Sequence, residues 1–213
     1  NVLFRGQTQH YGTAQQPLAT TSFYRHGCIA SEMLRWARYA DEVLGAFTGQ
    51  HSNLALNQAI LQHYGFRSFY LDCSDHAPVS AWFAGNRYSD KPAVELGEDC
   101  EETPLFLRKK MAIYEPAEGT GHLYVLDRAA CEKVGLTDLT AIAIDGARTR
   151  AGVQRAHLLG PLRNAPLPQE CFLAHITADC AVFRELAAEA GLASTGDVFP
   201  PSTEDPILDA LLS

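Results

Sequence analysis

The feature that most constrains the fold is the order in which two hydrophobic periodicities follow each other along the chain. Near the start, Met33, Trp36, Ala40 and Phe47 recur at the spacing of one helix face. Later segments such as 121–127 are short apolar runs that are typical of strands. Helices that precede a strand-rich part predict an α+β fold, with one domain over residues 1–213 and N-terminal helices packed on the strands.

Caps and breakers give the expected element boundaries. The expected strands are 2–5, 67–73, 121–127, 140–145, 157–159 and 171–176; the expected helices run from Ser31 to Gly49, Asn53 to Gly65, Asp75 to Arg87, Arg128 to Val134, Asp179 to Gly191 and from about Glu204. Residues 89–120 are acidic and weakly periodic, which predicts a mobile insertion.

Charge and cysteine content exclude some classes of protein. A formal net charge of −8 argues against a general nucleic-acid binder, which needs a basic surface. The six cysteines form no CxxC pair and no zinc-type spacing, so we expect free thiols, no disulfide and no metal.

The sequence shows neither a signal peptide nor a long apolar run, which predicts a soluble cytoplasmic protein with no membrane partner.

Polar residues at element ends are the candidate functional residues. Arg5 and Gly6 end the first strand, where an arginine fork can bind phosphate or be a plain surface residue. His63 ends a helix, where it is a base, a ligand or simply a residue favoured by the helix dipole. Asp72 lies in an apolar strand and needs a partner, either a structural arginine or catalytic groups.

A second polar stretch lies between residues 147 and 154. Arg148, Arg150 and Gln154 follow one another at strand-like intervals, either as a solvated edge or as part of a site. The phosphate-loop, dinucleotide-binding, zinc-protease and serine-hydrolase motifs do not occur. The sequence therefore gives no support to those four enzyme classes.

The order of these motifs resembles that of the FRG domain family, over nearly the whole chain. The matching segments are Phe4-Arg5-Gly6-Gln7, Pro17-Leu18 with Arg25, Gln62-His63-Tyr64-Gly65, Leu71-Asp72, Ala77-Pro78, Ala81-Trp82-Phe83-Ala84, Arg148 with Gln154, and 176–200. The central motif is the most specific of them. Two positions differ from the family pattern: Arg67-Ser68-Phe69 replaces its Pro-Thr-Arg, and Cys73 replaces its Trp.

The FRG layout is in turn similar to that of arginine-class ADP-ribosyltransferases, which implies a split, strand-rich core. By this resemblance Arg5 would bind a phosphate of NAD, Ser68 would fix the ribose or nicotinamide side, and Gln154 would orient a ribose hydroxyl from a late strand. His63 completes the implied catalytic set. The residues implied in NAD binding besides Arg5 are Gly6, Gln62, Tyr64 and Arg148.

The function implied is an NAD-consuming enzyme, either an ADP-ribosyltransferase or an NAD glycohydrolase, such as a toxin or defence effector. NAD would be the substrate, and a target protein or an inhibitory immunity protein would be the partner. Such an effector would act in the cytoplasm of its own cell or of a target cell. The alternative is a non-catalytic module that binds a nucleotide or a protein. A metal-dependent nuclease is a third reading, because 98–102 is a dense carboxylate run, but a solvated loop explains that run equally well.

Overall fold

The fold is seen in a computed structural model that describes residues 1–13, 15–27, 38–45, 47, 54–96, 106–142, 147–163 and 165–212. Within these ranges the described residues form a mixed α+β structure. The expected N-cap at Ser31 and most of the expected first helix lie outside the described residues.

The described strands form two sheets. The strands are β1 (Val2–Gln7), β2 (Leu71–Ser74), β3 (Asn86–Leu96), β4 (Phe106–Pro116), β5 (Thr120–Asp127), β6 (Leu136–Asp138), β7 (Ala156–Leu159) and β8 (Phe172–Asp179). Six of them make one sheet in the order β6-β7-β2-β1-β5-β8, and β3 pairs with β4. Every described pairing is antiparallel. The first strand is therefore central, and it brings Arg5 next to both β2 and β5.

Helices cover the larger sheet. They are α1 (Ser22–His26), α2 (residues 38–45), α3 (Leu54–His63), α4 (Ala77–Gly85), α5 (Arg128–Val134), α6 (Arg150–Val153), α7 (Cys180–Glu189), α8 (Thr195–Val198) and α9 (Pro206–Leu212). Asp127 and Asp179 each cap the helix that follows, since their carboxylates accept a backbone N–H of the first turn. These caps explain why α5 and α7 begin directly at the ends of β5 and β8.

Glycines let α4 lie directly on the strands. A Cβ at Gly6 of β1 would overlap the carbonyl oxygen of Ser80 in α4, and one at Gly121 of β5 would overlap that of Ala84. At the end of α4, a Cβ on Gly85 would lie 2.8 Å from the carbonyl oxygen of Cys180 in α7. The helix is thus held at backbone distance from the sheet and from α7.

The core is divided between the two faces of the sheet. One cluster joins Ile60 of α3, Tyr70 and Leu158 to Ile207 of α9. A second cluster includes Leu3, Leu126 and Leu167 beneath the 3-10 turn at Gln169–Cys171. Both faces therefore exclude water, and polar side chains that enter the sheet need partners within the protein.

Several expected elements are confirmed. They are the strands at 2–5, 121–127, 157–159 and 171–176 and the helices at 54–63, 77–85, 128–134, 180–189 and 206–212. Gly65, expected to end α3, has a φ of 102°, a conformation that glycine adopts without a steric penalty.

Four expectations about elements are wrong, each because a local polar contact or a strand pairing was not visible in the sequence. The strand expected at 67–73 begins only at Leu71, because the Ser68 hydroxyl accepts the N–H of Tyr70 at 2.9 Å. Residues 140–142, the described part of the strand expected at 140–145, form a turn in which the Asp138 carboxylate accepts the N–H of Thr140 at 2.8 Å, and a strand lies at Leu136–Asp138; 143–145 lie outside the described residues.

The other two concern α4 and the acidic insertion. Asp75 does not cap α4; its carboxylate lies 2.6 Å from Nε of Arg155, and His76 takes the cap position. Residues 86–96 and 106–116 are not irregular but pair as β3 and β4. The mobility of the insertion stays a prediction.

Two further features concern the environment of the protein. No helix in the described part of the chain is long and apolar enough to cross a membrane. Cys73, Cys131, Cys171 and Cys180 are free thiols and buried, as expected, whereas Cys28 and Cys100 lie outside the described residues.

Candidate functional site

The predicted site residues Gln62 and His63 meet at the carboxylate of Asp72. The last turn of α3 aims both side chains at β2, where Gln62 donates from Nε2 to one Asp72 oxygen at 3.0 Å. Nδ1 of His63 lies 3.6 Å from the other oxygen. The side chain of Asp72 keeps 44% of its surface exposed, whereas that of His63 keeps 2%. The carboxylate is therefore bound by side chains of α3 and is partly exposed to solvent.

Ser68 extends this arrangement by one hydrogen bond. Its hydroxyl donates to Oε1 of Gln62 at 2.8 Å, which orients the amide so that Nε2 faces Asp72. Ser68 itself is fixed because its N–H donates to the Ser22 hydroxyl at 2.9 Å. Ser68, which the sequence predicted to be catalytic, thus contacts Gln62 rather than the carboxylate, and it positions the Gln62 amide.

Arg5 reaches the same residue from β1. Its Nη1 donates to the backbone oxygen of Asp72 at 2.6 Å, and its buried Nε has no hydrogen-bond partner among the described residues. We call Arg5, Gln62, His63, Ser68 and Asp72 the Asp72 cluster. Four residues that the sequence predicted in three separate motifs converge in it.

The electrostatics of the Asp72 cluster keep its carboxylate ionised. Partial burial alone would raise the pKa of Asp72. The hydrogen bond and charge of His63, the charge of Arg5 and the hydrogen bond from Gln62 outweigh that effect, so the pKa lies below its ordinary value. At neutral pH the cluster presents a partly exposed anion beside a cation.

An aromatic stack runs beside the Asp72 cluster. The guanidinium carbon of Arg150 lies 4.7 Å from the ring centroid of Tyr64 and 5.0 Å from that of Phe199, and Phe199 stacks on Tyr114 at 4.8 Å. We call these four residues the aromatic stack. Nη1 of Arg150 donates to the backbone oxygen of His63 at 3.1 Å, which joins the stack to the cluster.

The Asp72 carboxylate also acts on the pKa values of two residues of the aromatic stack. Burial first, and then the charge of Asp72, raise the pKa of Tyr114 above its ordinary value. Burial lowers the pKa of Arg150, which the charges of Tyr64, Asp205, Tyr114 and Asp72 partly oppose. A carboxylate, a guanidinium and aromatic rings therefore share one electrostatic environment.

Tyr64, predicted to bind a cofactor, instead contacts Arg150 in the aromatic stack and Asp205 at the start of α9. Its hydroxyl donates to Asp205 at 2.7 Å, and the same carboxylate oxygen accepts the N–H of Arg150 at 2.8 Å. The other Asp205 oxygen caps α9 by accepting the N–H of Ile207 at 3.1 Å. The Tyr64 hydroxyl is thus bound to Asp205, and one face of its ring is covered by Arg150.

Three predicted residues have structural contacts away from Asp72. Gly6 lies under α4, so its missing side chain serves helix packing. Arg148 is exposed and binds the backbone oxygens of Gly196 and Asp197, at 3.1 and 2.9 Å. Gln154 is 6% exposed, caps α6 rather than lying on a strand, and donates to the backbone oxygen of Val198 at 3.0 Å.

The described contacts of Gln154 do not include Arg5 or Ser68, so they do not support the predicted convergence of Gln154 with those two residues. The contacts in the described part of the chain instead join Arg150, two positions from Arg148, and Asp72 to the predicted set. Asp72 carried a signal, since it is the lone charge in an apolar strand. Tyr114 and Phe199 carried none, because both come from segments far along the chain.

Fold and geometry together define an α+β protein with a partly exposed carboxylate, held by Gln62 and His63, next to an arginine that lies over aromatic rings. Comparison with protein-family models, with curated proteins and with solved structures finds no match to this chain. The resemblance to the FRG family and to the ADP-ribosyltransferase layout therefore rests on the sequence motifs.

Proposed function

We propose that the chain binds NAD at the Asp72 cluster and cleaves its nicotinamide–ribose bond, as an ADP-ribosyltransferase or an NAD glycohydrolase. The observation that carries the proposal is the Asp72 carboxylate, which is ionised, partly exposed and oriented by Gln62 and His63. The motif resemblance supports the same chemistry. A protein target or an inhibitory partner would complete the system.

The charges of the site match the parts of the dinucleotide. The charges of Arg5 and Arg150 both act on Asp72, and a guanidinium is suited to a pyrophosphate. Aromatic side chains stack with bases, so a partly exposed ring of the aromatic stack would be the place for a planar ring of the dinucleotide. The nicotinamide ribose would then lie over the carboxylate.

In this arrangement Asp72 takes the role that the resemblance gave to Gln154. As the glycosidic bond lengthens, positive charge grows on the ribose, and a fixed carboxylate stabilises that charge more than an amide does. Nicotinamide leaves with the bonding electrons, and water or a nucleophile of a target protein adds to the ribose carbon. His63 and Gln62 act as positioning residues, since their contacts hold the carboxylate in place.

A specific observation favours a second candidate, a binding module without turnover. Both functional groups of the Gln62 amide are already used within the Asp72 cluster, and the Gln154 amide is used against Val198. When the amide groups of a site are hydrogen-bonded to other protein groups, they hold the shape of the site but are not free to contact a substrate. Such a module would bind the nucleotide and leave it intact.

The experiment that tests the proposal measures NAD binding by calorimetry and nicotinamide release by chromatography on the wild type and Asp72→Asn. Asparagine keeps the shape and removes the charge. We expect cleavage to fall by about 10²–10³-fold, the usual cost of losing one preorganised electrostatic group. Binding should change by less than about tenfold, because the lost contact strengthens mainly in the transition state.

The matched control is Asp75→Asn, three residues further along, whose carboxylate pairs with Arg155 and His157 outside the Asp72 cluster. It should leave cleavage unchanged. Equal losses in both variants, with both folded, would assign the effect to stability. Binding without nicotinamide release in the wild type would leave the binding module, and no binding at millimolar NAD by the folded protein would refute the enzyme and leave a module that binds another nucleotide or a protein.

A further inference from the structure

Three histidines far apart in the sequence meet on the sheet face that carries Arg5. His122 lies on β5 and His175 on β8, one diagonal step apart, since His175 pairs with Tyr124 across the two strands. His10 follows β1 and folds back over them. Pairwise, the three ring centroids are 4.6 to 5.2 Å apart.

The nitrogen atoms are close enough to share one ion. Nδ1 of His122 and Nε2 of His175 are 3.0 Å apart, and one nitrogen from each of the three rings lies within 4.8 Å of the others. Tetrahedral zinc with bonds of about 2.0–2.1 Å places its ligand atoms roughly 3.3 Å from one another. Because the His10 and His175 rings are stacked with 13° between their planes, a shared ion requires side-chain rotations that turn one nitrogen of each ring toward it.

His10 supplies the second, independent observation. Its Nε2 is buried and has no hydrogen-bond partner within the described part of the chain, and an unsatisfied buried nitrogen is costly. Its Nδ1 lies 2.8 Å from the Tyr124 hydroxyl, which also accepts from Gln7 at 3.1 Å. Metal-bound histidines commonly donate their other ring N–H to such an outer partner, which fixes the ring and leaves the free nitrogen for the ion.

We propose that His10, His122 and His175 form a binding site for a single zinc ion. Imidazole nitrogen is a preferred zinc ligand, and three histidines leave a fourth position for water or a small anion. All three rings are only partly buried, so solvent and the ion can reach the site. The site contains none of the residues of the Asp72 cluster, and its test does not depend on NAD.

The test is a calorimetric titration of chelator-treated, desalted protein with zinc chloride, followed by the absorption spectrum of the cobalt-loaded protein. We expect one zinc per chain with micromolar or tighter affinity and a cobalt spectrum of tetrahedral intensity. His122→Ala and His175→Ala should each weaken zinc binding by about 100-fold or more, since each removes one of three ligands. Tyr124→Phe keeps the ring and should weaken it by about 10–100-fold.

The matched control is His26→Ala, an exposed histidine at the end of α1, which should bind zinc like the wild type. Circular dichroism of each variant separates loss of a ligand from loss of fold. Absence of zinc binding by the folded wild type at micromolar concentration would overturn the proposal. Unchanged binding in folded His122→Ala or His175→Ala, or equal weakening in His26→Ala, would also overturn it.

Discussion

At the scale of single residues, Asp72 shows that the contacts which offset the cost of placing a carboxylate in an apolar strand also hold that carboxylate in the site. A carboxylate in an apolar strand is unfavourable unless it is paired. Here the pairs come from Gln62 and His63 of one helix and from the neighbouring Arg5. These contacts favour the charged form of Asp72. The interactions that offset its desolvation therefore also leave it ionised, and an ionised carboxylate can stabilise a cation.

We predict that the contribution of Asp72 to stability is lost in acid. Because the folded-state pKa is below the ordinary value of 3.8, the stabilisation is fully present above the unfolded-state pKa and declines as the pH falls through the folded-state pKa. The free energy of unfolding of the wild type should therefore exceed that of Asp72→Asn by a constant amount above about pH 5 and converge on it below.

Urea unfolding of both proteins from pH 7 down to pH 2 measures this difference. Solvent screening limits its size, since the side chain is 44% exposed. A difference that stays constant over the whole range would show that His63, Arg5 and Gln62 do not favour the charged form of Asp72.

At the scale of elements, the contact between α4 and the sheet depends on glycine. Gly6 and Gly121 lie on adjacent strands and both face α4, which brings helix backbone and strand backbone together. The glycine of the Phe4-Arg5-Gly6 motif therefore serves packing, whereas the arginine before it points to the opposite face and donates to the backbone oxygen of Asp72. One short motif combines the two roles because neighbouring strand residues point to opposite faces.

We predict that Gly6→Ala lowers the free energy of unfolding by about 3 kcal/mol, since the new methyl group would overlap the Ser80 carbonyl and force α4 away. The control is Gly45→Ala in α2, where an added Cβ meets no atom of the described residues within 4 Å. Alanine there should leave stability unchanged or raise it by up to about 1 kcal/mol, because it is the better helix former. Thermal or urea unfolding compares the two, and equal stability of both variants would contradict the close packing.

At the scale of the whole molecule, cysteines behave as small core residues. The four described cysteines are buried, and burial, together with the nearby Cys171 thiol, raises the pKa of Cys131 to about 12. Burial likewise raises the pKa of Cys73, Cys171 and Cys180. The thiolate is the reactive form of cysteine. These thiols should therefore react slowly, because they are buried and because their raised pKa keeps them protonated.

We predict that a thiol reagent counts six thiols in denaturant without reductant, and that at least four of them react only after unfolding in the native protein. The control is the same count after reduction. Fewer than six thiols before reduction would reveal a disulfide and contradict the expectation of a reducing compartment. Rapid reaction of more than two in the folded protein would contradict the burial.

The sequence by itself determined the α+β class, most strands and helices of the described chain, and the motifs that carry Arg5, Gln62, His63 and Ser68. These follow from periodicity, capping and local motif spacing, which act between neighbours in the chain. Only the tertiary structure decided that these residues meet at Asp72, that Arg150 rather than Arg148 adjoins them, and that Gln154 serves α8. It also brought His10, His122 and His175 together, because strand pairing joins residues whose separation in sequence carries no signal.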